Sequence, residues 1–166
     1  MSKKSVRVML LSLAAVWLLS ACSIFPSPET DNCESEGLLF VDDFSGEQSC
    51  GWAEYTDGGT TVGIEDGTLQ ISSSQQGQFW WTNPGREFSD VIIITQARQA
   101  SGPDDNAYGV ICRYQDRENF YIFLISGDGY YAIGKYQTGS SQVLYLTENG
   151  QYVYSDVINQ GIATNE

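Results

Sequence analysis

The block "YGVICRYQDRENFYIFLISGDGYYAIGKY" (residues 108–136) is the feature that most restricts the fold of this chain. It contains three runs rich in aromatic and β-branched residues, separated by turns of Asp, Asn and Gly, which is typical of three antiparallel strands. Closing the first turn over residues 116–119 predicts that Tyr114 lies opposite Tyr121 and Cys112 opposite Phe123. Side chains alternate along a strand, so one face is predicted to carry Val110, Cys112, Tyr114, Tyr121, Phe123 and Ile125, and the other Ile111, Arg113, Phe120, Ile122 and Leu124.

Both faces of this predicted sheet are largely apolar, so we expect each to be covered at least in part. The second turn allows two registers. A two-residue loop places Tyr130 and Tyr136 on the Cys112 face, whereas a three-residue Gly-Asp-Gly loop with a bulge places Tyr131, Ile133 and Lys135 there. We favour the three-residue loop, because it aligns the larger apolar set with Phe123.

Short runs of the same kind occupy the rest of the chain, and no stretch after residue 37 has convincing helical periodicity. The turn sequences Glu-Asp-Gly-Thr (65–68) and Ser-Gly-Asp-Gly (126–129) favour hairpins, since glycine adopts positive φ at no steric cost. About 130 residues are enough for one core and too few for two. We therefore predict an all-β, two-sheet antiparallel sandwich over residues 38–166, with candidate strands at 38–44, 51–56, 60–64, 68–73, 78–82, 89–99, 107–115, 119–126, 130–137 and 142–147.

The chain begins with the basic segment "MSKKSVR" and continues with about twelve mostly apolar residues (8–19). This apolar run is shorter than the roughly 20 residues that a transmembrane helix needs. A basic start, a short apolar run and small residues at its end form the layout of a secretory signal. We therefore assign residues 1–21 to a signal peptide.

The junction Leu-Ser-Ala-Cys (19–22) resembles the lipobox of bacterial lipoproteins. The resemblance implies cleavage before Cys22 and acyl chains on Cys22, and several acyl chains hold a protein to a membrane far better than one. The polar, proline-containing residues 22–37 are then the acylated N-terminus and a tether to the domain. These assignments predict a lipid-anchored protein of the bacterial cell envelope, with its domain outside the cytoplasm.

The charge of the chain excludes several functions. Eight Lys and Arg stand against 21 Asp and Glu, for a net charge of −13, whereas nucleic-acid binding needs a basic surface. The sequence has no histidine, which excludes Ser-His-Asp and Cys-His catalysis and most transition-metal sites. We interpret the acids as solubilising surface, with cation binding by Asp42 with Asp43, or by Asp104 with Asp105, as the alternative.

Three cysteines follow Cys22. The predicted export would place them in an oxidising compartment, where disulfides persist. Cys33 and Cys50 flank one short predicted strand and are the favoured pair, closing a loop of roughly 17 residues that is worth about 3 kcal/mol in the chain-entropy model. Cys112 is then left over, as a buried thiol or with a partner outside this chain. Trp52, next to Cys50, is predicted to pack in the core.

The segments "DDFSGEQSCGW" (42–52), "DGTLQI" (66–71) and "R-Y-x-D-x-x-N-F-Y-x-F-x-I-x-x-D-G-Y-Y" (113–131) occur in this order along the chain. Together they resemble the concanavalin A-like lectin/glucanase superfamily, above all the LamG-like and 3-keto-disaccharide-hydrolase-like domains of bacterial lipoproteins. The resemblance covers residues 38–147 and implies a jelly roll whose concave face often binds glycans. Family members usually continue with further strands, so it also implies that the last strands are missing here, in a truncated product or a short variant.

The glucanases of that superfamily carry two glutamates around an aspartate on one strand, in an E-x-D-x-E or E-x-D-x-x-E pattern, and this chain has no such string. Asp116 and Glu118 are predicted to be solvated turn residues, with Asp116 capping the turn and Arg113 as its ion-pair partner. We therefore predict no catalytic residues.

Sugar binding needs aromatic faces that stack on pyranose rings and polar groups that reach hydroxyls. Trp80 and Trp81 are adjacent, so only one of them can line a given cleft. Our candidates for ligand stacking are Trp81, Tyr114 and Tyr121. The alternative is that these rings belong to the core of the sandwich.

These patterns predict a membrane-anchored lipoprotein with a glycan-binding or adhesive role. One alternative is a fragment of a glycoside-cleaving enzyme of the same superfamily, and another is a structural surface domain that binds a partner. No cofactor is predicted. A structural calcium ion is possible, with Asp42 or Asp43 as its first ligand. Oligomeric state stays open.

Overall fold

A computed structural model describes residues 33–46 and 50–166 of the chain. The chain divides into two compact units at the junction of Glu87 and Phe88. Each unit contains one antiparallel sheet, of three strands in the first and five in the second, and the described residues include no α-helix. The coarse prediction of a mostly β protein with two antiparallel sheets is therefore confirmed, whereas the extent of a single domain over 38–166 stays a prediction.

The first unit contains one sheet in which each strand pairs with the next: β1 (Tyr55–Asp57), β2 (Thr60–Glu65) and β3 (Thr68–Ser73). A tight turn at Asp66 and Gly67, both with positive φ, joins β2 to β3 and confirms the hairpin predicted at residues 65–68. Thr60 and Val62 of β2 are buried, and they form the centre of this small sheet.

A disulfide and a cluster of aromatic side chains stabilise the segments beside this sheet. The predicted disulfide between Cys33 and Cys50 is confirmed. The Trp52 ring packs against Phe40 and Phe44, with centroids 6.1 and 5.7 Å away. Trp52 thus has the packing role predicted for it.

The second unit contains a sheet of five strands: β4 (Ala107–Asp116), β5 (Asn119–Ser126), β6 (Tyr130–Tyr136), β7 (Leu144–Tyr145) and β8 (Val153–Tyr154). Their order is β4-β5-β6-β7, with β8 also paired to β6. A 3₁₀ turn at Glu148–Gly150 separates the last two strands. The central strands β5 and β6 contribute the buried apolar residues Phe120, Ile122, Leu124 and Ala132.

The predicted register between β4 and β5 is wrong by two residues over most of its length. Asp116 pairs with Asn119 at the turn as expected, but Cys112 lies opposite Tyr121 and not opposite Phe123. An irregularity between Cys112 and Asp116, where Arg113 has a φ of 51°, takes up the extra residues. Because the shift is even, the assignment of side chains to faces survives for the regular part of the strands.

The register between β5 and β6 agrees with the favoured three-residue loop. Phe123 pairs with Ile133 and Tyr121 with Lys135, so the alternative that placed Tyr130 and Tyr136 on the Cys112 face is wrong. The two faces are covered to different extents. Phe120, Ile122 and Leu124 are buried on one face, whereas Tyr121 and Phe123 on the other are each 43% exposed.

Three predicted strands are absent from the described sheets. Residues 38–44, 78–82 and 89–99 form no strand, although isolated bridges join Ser35 to Leu38 and Ala97 to Asn165. Their composition favours β-structure, but a strand also needs a neighbour to complete its hydrogen bonds. The predicted strands 51–56 and 142–147 are present only in part, at β1 and β7, and β8 was not predicted.

Candidate functional site

A concave site lies at the end of the five-stranded sheet where β5 turns into β6. It is an open cleft of about 200 Å³. We call it the Tyr130 cleft, and its lining residues all belong to the second unit: Asp105, Ser126, Asp128, Tyr130 and Tyr152.

The turn at residues 127–129 brings three of these side chains together. The Gly129 amide, at a φ of 90° that favours glycine, donates to the Ser126 carbonyl at 3.0 Å. The buried Ser126 hydroxyl donates to the Asp128 carboxylate and also lies 3.3 Å from the Tyr130 carbonyl. The position of the Asp128 carboxylate is thus determined by the turn itself.

The loop at residues 99–106 carries Asp105 to the same cleft. The amide nitrogen of the buried Gln99 donates to three successive carbonyls, those of Ser101, Gly102 and Pro103, at 3.2, 2.9 and 2.8 Å. One side chain therefore replaces the backbone partners that a loop in this position lacks.

The loop and the turn are also joined directly. The Asp128 amide donates to the Asp104 carbonyl at 2.9 Å. Gly127 packs so closely that a Cβ atom there would lie 2.7 Å from the Gln99 side-chain oxygen and 3.1 Å from the Asp104 carbonyl oxygen. Only glycine fits this contact without a shift, and the contact sets the spacing between the loop and the turn.

Tyr130 and Tyr152 form the aromatic part of the cleft, and each packs against another tyrosine. The Tyr130 ring packs edge-on against Tyr154 at 5.6 Å between centroids, and the Tyr152 ring packs against Tyr145 at 5.3 Å. Burial raises the pKa of Tyr152, and its hydrogen bond with Tyr145 and the nearby Asp128 charge act in the same direction. Tyr152 therefore stays a neutral phenol throughout the physiological range.

The chemistry of the cleft is that of a receptor for a polyhydroxylated molecule. Carboxylates accept hydrogen bonds from hydroxyl groups, and tyrosine rings offer apolar faces with a polar tip. Among the described residues no basic side chain lines the cleft, so an anionic ligand would meet uncompensated negative charge.

The residues predicted to stack on a ligand lie elsewhere. Trp81 belongs to the first unit, where its carbonyl accepts a hydrogen bond from the Tyr55 hydroxyl at 2.9 Å. Tyr114 stacks on Phe120 at 6.1 Å between centroids, whereas Tyr121 projects from the opposite face of β5. The structure does not bring Tyr114 and Tyr121 together, and neither lines the Tyr130 cleft.

Most of the residues in the cleft are not predicted from the sequence. In the sequence Asp105 stands out only as part of an acidic pair, and residues 126–129 only as a hairpin signal. A usable clue was present, because a Gly-Asp-Gly turn bounded by Ser126 and Tyr130 places a carboxylate, a hydroxyl and a ring at one point. Tyr152 comes from a region with no clear pattern and could not be connected to this turn from the sequence.

The acidic residues considered for other roles make local hydrogen bonds. Asp42 accepts from the Phe44 amide at 2.8 Å and from the Trp52 indole nitrogen at 2.9 Å. The Ser45 hydroxyl and amide donate to Asp43 and lower its pKa. Within residues 33–46 and 50–166 no group of three or more acidic or cysteine side chains is placed to hold a metal ion, and calcium stays an untested prediction.

The turn at residues 116–119 has a structural role. Asp116 accepts from the Glu118 amide at 2.8 Å and from the Asn119 side chain at 2.9 Å, which confirms it as the capping residue. Arg113 pairs with Asp90 at 2.7 Å, so the predicted ion pair of Arg113 with Asp116 is wrong.

Cys22, the predicted lipidation site, lies outside the described residues. In the part of the chain that is described, no helix is long and apolar enough to cross a membrane.

Comparison of the chain with protein-family models, curated proteins and solved structures finds no match. The resemblance to the concanavalin A-like lectins therefore depends on the sequence motifs alone.

Proposed function

We propose that this chain is a lipid-anchored envelope protein whose β domain binds a neutral carbohydrate at the Tyr130 cleft without cleaving it. The observation that carries the proposal is the composition of the cleft, which combines two tyrosine rings with two carboxylates held by the loop and the turn. Carbohydrates present C–H faces to aromatic rings and hydroxyl groups to acceptors, and the cleft offers both.

A concanavalin A-like jelly roll is part of the same proposal. The order of the three sequence motifs supports it, together with the two antiparallel sheets. The superfamily's glutamate pair is missing from the sequence, which favours binding over hydrolysis.

The test is a glycan array probed with the full chain, solubilised in detergent, followed by titration of each hit. Tyr130→Ala is expected to weaken binding roughly tenfold or more, since loss of a stacking ring removes one to several kcal/mol. Tyr121→Ala is the matched control, because both tyrosines are about two-fifths exposed on the same sheet (38% and 43%), and it should leave affinity unchanged.

Several results would overturn the cleft assignment. Binding of no glycan above background rejects carbohydrate recognition, and loss of affinity in Tyr121→Ala but not in Tyr130→Ala moves the site to the other face. Release of sugar from laminarin or xylan that disappears in Asp105→Asn would show that the site is catalytic.

The anchor is tested separately by mass spectrometry of the amino terminus. Acylated Cys22 with residues 1–21 removed is expected, and Cys22→Ser should release the protein from the membrane fraction. An unacylated or uncleaved amino terminus would contradict the proposed location and leave the cleft proposal standing.

A further inference from the structure

One face of the five-stranded sheet is apolar and open. Strand alternation buries Phe120, Ile122 and Leu124 on one side and leaves the opposite side exposed. We call this opposite side the Cys112 face and define it by six residues: Cys112, Tyr121, Phe123, Ile133, Lys135 and Leu144. Large apolar faces of this kind mark interaction sites in soluble proteins.

The charge of the Cys112 face differs from that of the chain as a whole. The chain carries 21 acidic residues, yet none of the six residues of the face is acidic, and Lys135 is its one charged member. A second copy of this acidic protein can therefore approach through this face with less repulsion than through an average part of its surface.

The side chains of the face differ in size from one strand to the next. Two rows of paired residues cross it, Cys112–Tyr121–Lys135 and Phe123–Ile133. Val110 of β4 adjoins the face and continues the second row, and in each row the aromatic ring lies on the middle strand. When two sheets pack face to face at about 10 Å, large side chains fit opposite small ones. A two-fold axis can place the rings of one copy against Val110 and Cys112 of the other.

Cys112 is a second, independent indication of a partner. It is an exposed free thiol, while Cys33 and Cys50 are paired with each other. If the chain is exported, as proposed above, an unpaired cysteine points to a contact outside its own chain, and this one lies on the open apolar face.

We propose that the Cys112 face is a homodimer interface in which the five-stranded sheets of two copies pack against each other. The interaction is noncovalent and isologous, so the same residues contribute from both copies. It is independent of carbohydrate binding at the Tyr130 cleft.

The test is sedimentation equilibrium of the full chain in density-matched detergent. Wild-type protein should dimerise. Phe123→Glu places a carboxylate at the centre of the face, opposite its own copy, and should weaken the dimer roughly tenfold or more. Val157→Glu is the matched control, since it adds the same charge at a residue outside the face that is 81% exposed, and it should dimerise like wild type.

A short bismaleimide gives a second readout, because each maleimide adds to one thiol without any redox step. It should link two wild-type chains through Cys112 and fail to link chains of Cys112→Ser or Phe123→Glu. If Phe123→Glu does not fold by circular dichroism, Leu144→Glu, at a 55% exposed position of the same face, takes its place.

Three outcomes would overturn the proposal. One is a monomer at every concentration tested. Another is a dimer that survives both face variants. The last is a wild-type monomer that binds vesicles of anionic phospholipid through Phe123, which would assign the face to lipid.

Discussion

Residues 120–125 and residues 91–94 have the same kind of composition and different structures. The first run, Phe-Tyr-Ile-Phe-Leu-Ile, lies in β5 between β4 and β6 and buries every second side chain. The second run, Val-Ile-Ile-Ile, is in no strand, and Ile92 and Ile94 are 90% and 76% exposed. None of the backbone hydrogen bonds between described residues involves residues 91–94.

The difference lies in the neighbours. Residues 120–125 follow a turn capped by Asp116 and precede a Gly-Asp-Gly loop, and each turn places another strand beside them. Residues 91–94 have no such turn to place a strand beside them. A run with high β-propensity therefore forms a strand only when a neighbouring strand is present to pair with it.

Hydrogen exchange should show the largest contrast between the two runs. The amides of residues 120–125 are expected to exchange only through global unfolding, which costs about 5–15 kcal/mol in a typical domain. For the amides of residues 91–94, the free energy of the opening that permits exchange should be below about 1 kcal/mol. The measurement is amide exchange by NMR or mass spectrometry, and equal protection in both runs would refute the contrast.

Truncation of one isoleucine in each run should give the next largest contrast. Ile122→Ala should lower the free energy of unfolding by about 2–5 kcal/mol, because Ile122 is buried and its loss leaves a cavity. Ile92→Ala should change it by less than about 0.5 kcal/mol, as surface substitutions do. Urea denaturation with unchanged m-values measures both, and a comparable loss in Ile92→Ala would place residue 92 in a core.

Removal of the cap should have an intermediate effect on the β4–β5 hairpin. Asp116→Ala deletes the acceptor of the Glu118 amide and the Asn119 side chain and should cost about 1–2 kcal/mol, the net value of one or two hydrogen bonds. Asp116→Asn keeps one acceptor oxygen and should recover part of the loss. A stability unchanged in both variants would mean that the ladder alone aligns the strands.

The ion pair beside residues 91–94 should have the smallest effect. Asp90 contacts Arg113 at 2.7 Å, but both side chains are largely exposed, and exposed pairs contribute about 0–1 kcal/mol. Asp90→Ala should therefore change stability by less than about 1 kcal/mol, and by less still in 1 M salt. A larger effect would mean that this contact holds the run in place.

The sequence predicted the parts of the fold that depend on local chemistry. The Glu-Asp-Gly-Thr hairpin, the three-residue loop before Tyr130 and the Cys33–Cys50 pair all follow from turn residues or chain spacing, and all are confirmed. The irregularity after Cys112 was not foreseen, because nothing about Arg113 as a residue type indicates positive φ.

The candidate site was much less predictable, since it joins segments far apart in the chain. Asp105, Asp128 and Tyr152 meet only because the loop at 99–106 contacts the turn at 127–129, and no local pattern records that contact. Tyr114 and Tyr121 looked equivalent in the sequence, but the bulge sends the Tyr114 ring toward Phe120.

The bracing of the loop by Gln99 has a consequence for recognition at the cleft. The Gln99 side-chain nitrogen donates to three loop carbonyls, and its side-chain oxygen lies against Gly127. The distance between the two acidic residues of the cleft, Asp105 and Asp128, is therefore set before a ligand binds. A preorganised binding site loses little conformational entropy when it binds a ligand, and its selectivity then follows from the shape of the cleft. Substitutions at Gln99, which supports the cleft without lining it, should therefore alter which sugars are accepted before they abolish binding altogether.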